Sequence, residues 1–122
     1  MSKTILIVDD SASLRQVPAI SLRGAGYDVV EACDGADALR KLDGRKFHLI
    51  ISYVNMPNMD GIAFVAAAKR LPAYKFTPIV MLTTEAGDAR KAAGQAAGAR
   101  AWIVKPFQPV TVLNAVSKLI LP

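Results

Sequence analysis

The chain has 122 residues, 52% of them hydrophobic and 20% charged, which supplies a buried core for one compact domain and is too apolar for a disordered segment. A formal net charge of +5 is compatible with acidic partners. However, the Lys and Arg residues are dispersed, mostly near predicted helix ends, and read as solvated faces with favourable helix C-terminal charges. The longest apolar runs fall well short of a bilayer span, the opening MSKTILIVDD lacks a signal peptide's apolar segment, and the single Cys33 excludes an internal disulfide, so the expectation is a cytoplasmic protein without membrane insertion.

Thr4 to Val8 is a short β-branched run that ends in the acidic pair Asp9-Asp10 and predicts the first strand. Ser11 or Ser13 caps a helix to about Arg23, with Leu14, Val17, Ile20 and Leu22 as its inner stripe. Pro18 removes a hydrogen bond and crowds the Leu14 carbonyl, which predicts a kink or irregular turn near 14–18. Tyr27 to Ala32 reads as strand two, and Gly35 to Leu42 as a helix built on Ala36, Ala38, Leu39 and Leu42. Leu49-Ile50-Ile51 has no polar side to turn toward water, so strand three is expected to be covered on both faces, with Tyr53 at its C-terminal end. Asn55, Pro57, Asn58, Asp60 and Gly61 supply turn chemistry before a helix over 62–71.

Pro78 to Leu82 is strand four, stopping at Thr83. A fourth helix follows over 87–97; it is Ala-rich, contains Gly94 and has few large apolar anchors, so it is expected to be the most mobile. Ala101 to Val104 is strand five, ending at Lys105-Pro106-Phe107. A last helix from Pro109 buries Val112, Leu113, Val116, Leu119 and Ile120. Five strands alternating with five helices predict a doubly wound parallel sheet in one domain over 1–122, and no output domain is expected. In such sheets ligands gather outside the strands' carboxyl ends. That rim would collect Asp9, Asp10, Tyr53, Thr83 and Lys105: oxygen ligands for a hard divalent cation facing a hydroxyl and an ammonium suited to a phosphoryl oxygen.

The stretches ILIVDDSASLRQ, AGYDVVEACDGADAL, VNMPNMDGIAF, PIVMLTTE and AGARAWIVKPF span nearly every element. Together they resemble a response-regulator receiver of the stand-alone chemotaxis type. The resemblance implies the flavodoxin-like receiver fold with strand order 2-1-3-4-5. It also implies a magnesium site at Asp9, Asp10 and the Asn55 backbone carbonyl, phosphate contacts at Thr83 and Lys105, and switch positions at Thr83 and Trp102. The family's phosphoacceptor is an aspartate, and Tyr53 stands in its place.

A neutral phenol of pKa near 10 replaces a carboxylate that serves as both nucleophile and metal ligand. The chain is therefore expected to be a non-enzymatic, degenerate receiver of a two-component phosphorelay, acting by phosphorylation-independent protein contact. No cofactor is expected to be required, magnesium binding is expected to be weak, and the rim is expected to close on itself through bonds from Tyr53 or Lys105 to Asp9 or Asp10. The resemblance gives as partners a histidine kinase, a phosphotransfer protein or a downstream target. They would meet the face of the fourth helix, strand five and the last helix on a monomer with no specific nucleic-acid binding. Two alternatives share the same sequence: a receiver phosphorylated elsewhere, at Ser52 or Asp60 for example, and an acceptor-site variant of an active regulator. His48 and Cys33 carry no metal-ligand spacing and are not expected to act as ligands.

Overall fold

The computed structural model describes residues 3–53, 61–83, 96, 98–104 and 109–120. Its elements are β1 (Thr4–Val8), α1 (Ala12–Gly24), β2 (Asp28–Ala32), α2 (Gly35–Lys41), β3 (Leu49–Tyr53), α3 (Gly61–Lys69), a 3-10 turn (Pro72–Tyr74), β4 (Ile79–Thr83), β5 (Ala101–Val104) and α4 (Pro109–Leu119). The strands form one parallel sheet in the order β2-β1-β3-β4-β5. This is the α/β architecture and strand order expected, with four α-helices among the described residues. The further helix expected over 87–97 lies outside them, apart from residue 96.

β3 is buried along its whole length, as its uninterrupted apolar run requires, because helices cover both sheet faces. Alternation along the strands sorts the core into two layers. Leu6, Val8, Ile50, Ile79 and Met81 pack with Ala38 of α2 and with Phe64, Val65 and Ala68 of α3. Ile5, Ile7, Leu49, Ile51, Val80 and Leu82 pack on the other face with Ala19 and Leu22 of α1 and with Val112 and Val116 of α4. Leu113, Leu119 and Ile120 complete that second layer as the α4 pattern predicts. Phe47 and Tyr74 close the lower end of the first layer, where the Tyr74 hydroxyl donates to the Arg45 carbonyl at 2.8 Å and accepts from Gly44 N–H at 2.9 Å. None of the described helices is long and apolar enough to cross a membrane.

The expected face of α1 is corrected. Val17 and Ile20 are 54% and 67% exposed, whereas Ala19 and Leu22 are fully buried and Pro18 is buried beside them. Among the described side chains the inner stripe runs Arg15, Pro18, Ala19, Leu22, an i, i+3, i+4, i+7 series that keeps the expected Leu22 and excludes Val17 and Ile20; the Leu14 side chain lies outside the described ones. Of the kink or irregular turn expected near 14–18, the irregular turn is corrected, because α1 is continuous from Ala12 to Gly24 with Pro18 inside it. Pro18 lies buried on the sheet side of the helix.

The two faces of α1 predict opposite responses to substitution. Leu22→Ala should cost about 2–5 kcal/mol in urea denaturation, while Ile20→Gln should stay within about 0.5 kcal/mol. A larger loss from Ile20→Gln than from Leu22→Ala would return the helix to the other face.

Candidate functional site

The carboxyl ends of the strands form the candidate site. Val8 pairs with Ser52, Tyr53 with Leu82, and Thr83 with Val104, so Asp9, Tyr53 and Thr83 follow one another on β1, β3 and β4. Asp10 is the next residue along the β1 exit and is exposed. The backbone places Thr83 last in β4. Lys105 and Asn55 lie outside the described residues, as does Asp60.

Asp9 is 1% exposed. Its Oδ1 accepts the Ser11 main-chain N–H at 3.2 Å, while Oδ2 is buried with no hydrogen-bond partner among the described residues. Burial raises its pKa to about 6, the Ser11 N–H opposes that shift, and Asp10 adds to it. The expected bond from Tyr53 to Asp9 is not made at Oδ2, and the expected pairing with Lys105 lies outside the described residues. Two carboxylates, one with an open buried oxygen, suit a hard divalent cation. Among the described residues, however, no group of three or more acidic, His or Cys side chains is arranged to hold a metal.

Tyr53 ends β3 with its ring 8% exposed, in the layer that contains Ile51, Leu82 and Ala19. Burial first, and then the negative charge of Asp9, push its pKa to about 12, so the phenol is neutral at physiological pH. The arrangement brings Tyr53 against Asp9 with no ionised oxygen at position 53. Ser52 faces the opposite layer, is fully buried, and its hydroxyl donates to the Tyr53 carbonyl at 3.1 Å. A phosphodonor has no path to it.

Trp102 is the second residue of β5, paired with Met81, and packs against the layer on the α2 and α3 side. It therefore sits across the sheet from the Tyr53 ring, and its indole N–H is buried without a partner among the described residues. His48 accepts the Thr4 N–H at Nδ1 (3.0 Å), a pairing between strand entries far from the carboxyl-end rim. Cys33 is exposed at the end of β2.

Two residues at the site were not singled out from sequence. Arg15 donates to the Asp9 carbonyl at 2.6 Å and to Glu31 at 3.1 Å, tying α1 to the exits of β1 and β2. The i, i+3, i+4, i+7 series through Leu22 would have found it. Gly61 opens α3 so close beneath β3 that a Cβ there would lie 2.1 Å from the Tyr53 carbonyl oxygen and 2.9 Å from Met81 Cε. Glycine is required for that approach, and turn chemistry alone does not reveal it.

The electrostatics of Asp9 carry a sign. Its folded-state pKa lies above the unfolded value, so folding favours the protonated form, and ionisation costs stability as pH rises from about 4 to about 6. In metal-free buffer at pH 7.5, Asp9→Asn should stabilise the domain by up to about 3 kcal/mol, and the gain should vanish below about pH 4. Denaturation at both pH values checks this, and destabilisation at pH 7.5 would contradict it.

Known proteins share this geometry and sequence. Residues 5–117 match the family described as the response regulator receiver domain. The chain is 39% identical over 107 residues to the chemotaxis protein CheY1 of Helicobacter pylori, covering 86% of each. It is 34% identical over 112 residues to protein PilG of Pseudomonas aeruginosa, covering 92% of this chain and 83% of the relative. The crystallised chemotaxis protein CheY4 of Vibrio cholerae superposes with a TM-score of 0.94 at 47% identity, covering 98% of this chain and 100% of that one. With its strand order, its acidic β1 exit and this match over nearly its whole length, the chain belongs to the response regulator receiver family.

Proposed function

We propose that this receiver works in a two-component phosphorelay by phosphorylation-independent protein–protein contact and accepts no phosphoryl group at the β3 exit. One observation carries the reading: the acceptor position holds Tyr53, a buried phenol kept neutral by desolvation and by Asp9. Phosphoryl transfer to an acyl oxygen needs a carboxylate, and no such nucleophile stands at position 53. Complete burial of Ser52 argues against transfer to its neighbour.

In this reading Asp9, Asp10 and the Asn55 carbonyl are a reduced magnesium site, weak because the third anionic ligand is missing. Magnesium, when bound there, would supply only local positive charge. Thr83 and Lys105 are phosphate-contact positions without a phosphate to contact, and Thr83 and Trp102 are the candidate switch residues. The module is cytoplasmic, monomeric and non-enzymatic. Its partner, a kinase, a phosphotransfer protein or a downstream target, meets the surface formed by residues 87–121. The names of the relatives, two of them chemotaxis proteins, support a role in that kind of signalling.

Calorimetric titration with magnesium, followed by beryllium fluoride as an acyl-phosphate mimic, tests the reading. The natural chain should bind magnesium at least about tenfold more weakly than Tyr53→Asp, a difference of about 1.4 kcal/mol, and should give no heat with beryllium fluoride. Equal magnesium affinity, or a saturable beryllium fluoride response from the natural chain, would refute the assignment.

A further inference from the structure

The basic residues are dispersed in sequence, but the fold gathers several of them. Lys3 precedes β1, Lys46 precedes β3, Lys75 precedes β4 and Arg100 precedes β5, and these four strands are adjacent in the sheet. Main-chain bonds hold the entries level: His48 N–H to the Thr4 carbonyl at 2.8 Å, Ile50 N–H to the Pro78 carbonyl at 3.0 Å, and Arg100 N–H to the Ile79 carbonyl at 2.8 Å. At roughly 4.8 Å between strands, the cations span a row of about 15 Å. Their fields overlap. Burial and then the charges of Lys46 and Lys3 lower the pKa of His48, and burial and then Arg100 lower that of Lys69.

The dipoles of the α-helices account for the basic residues in their last turns but not for these four, which stand ahead of strands, Lys75 also capping the short 3-10 turn Pro72–Tyr74. Of the acidic residues near this rim, Asp43 is paired with Arg45 at 3.2 Å, and Asp28 opens β2 at the end of the row, its N–H donating to the Lys3 carbonyl at 2.9 Å. The opposite rim carries Asp9 and Asp10. Within the basic row Phe76 is 77% exposed, with the Lys75 ammonium 5.6 Å from its ring centroid.

We propose that this strand-entry rim is a docking surface for an anionic lipid bilayer, with Lys3, Lys46, Lys75 and Arg100 meeting headgroups and Phe76 entering the headgroup–acyl boundary. A row of cations beside one exposed aromatic matches a negatively charged headgroup surface and requires no groove. Single-stranded nucleic acid is held instead by grooves with successive stacking aromatics. Phe76 is the one aromatic among the large apolar side chains described as exposed. Adsorption in this orientation presents the acidic rim and its partner surfaces to the solvent, and no segment need cross the bilayer.

Co-sedimentation of the full chain with phosphatidylcholine vesicles, with and without roughly 30% phosphatidylserine, tests the proposal. Binding should require phosphatidylserine and fall with added salt. Lys46→Gln combined with Lys75→Gln should weaken it about 25-fold, roughly fivefold per charge. Phe76→Ser should weaken binding even at low salt, and circular dichroism should show both variants folded. Three results would overturn the proposal. One is no binding to the anionic vesicles at low ionic strength, and another is binding indifferent to these substitutions. The third is tighter association with polyglutamate or single-stranded DNA that the same substitutions abolish, which would assign the rim to an acidic protein or a nucleic acid.

Discussion

Burial of β3 on both faces is the constraint on which the rest depends. Leu49, Ile50 and Ile51 are wholly inaccessible to solvent, with α1 and α4 packed on one side and α2 and α3 on the other. A parallel strand enclosed in this way has no lateral surface on which to display chemistry, so function is confined to its two ends. The same enclosure draws α3 so close that only glycine fits at position 61, and it brings Tyr53 into the low-polarity layer beside Asp9. Helix packing thus sets the electrostatics of the carboxyl-end rim.

Desolvation acts on both titratable groups there in the same direction. It raises Asp9 to about 6 and Tyr53 to about 12, opposing negative charge at each. A magnesium ion and a phosphoryl group require the reverse, a concentration of anionic ligands balanced by a cation. Under the proposed reading, a phenol at position 53 leaves the rim without one anionic ligand and without the nucleophile. Arg15 holds the Asp9 carbonyl and Glu31 and so ties the exits of β1 and β2 to α1.

The parallel sheet and the positions of Asp9, Asp10, Tyr53 and Thr83 could be read from the sequence because apolar runs of strand length ended in polar residues at regular intervals, whereas the strand order came from the resemblance to receivers. α1 could not be read in the same way. Val17 and Ile20 are the larger hydrophobes, but the sheet accepts the small, close-packing Pro18 and Ala19 instead, so residue size misled where steric fit decided. Gly61 showed only as a turn residue because its close contact with the Tyr53 carbonyl is tertiary. The basic rim was invisible for a related reason: Lys3, Lys46, Lys75 and Arg100 are far apart in the chain and become neighbours only through the parallel topology. Dispersal along a sequence is therefore a poor guide to dispersal on a surface when every strand enters from the same end.

The central claim is that signalling through this domain proceeds without an acyl phosphate, and intact-mass measurement after incubation with acetyl phosphate and magnesium tests it most directly. The account predicts no phosphoryl gain on the natural chain and a single gain on Tyr53→Asp that hydroxylamine and base remove. A stoichiometric phosphoryl gain on the natural chain would contradict it.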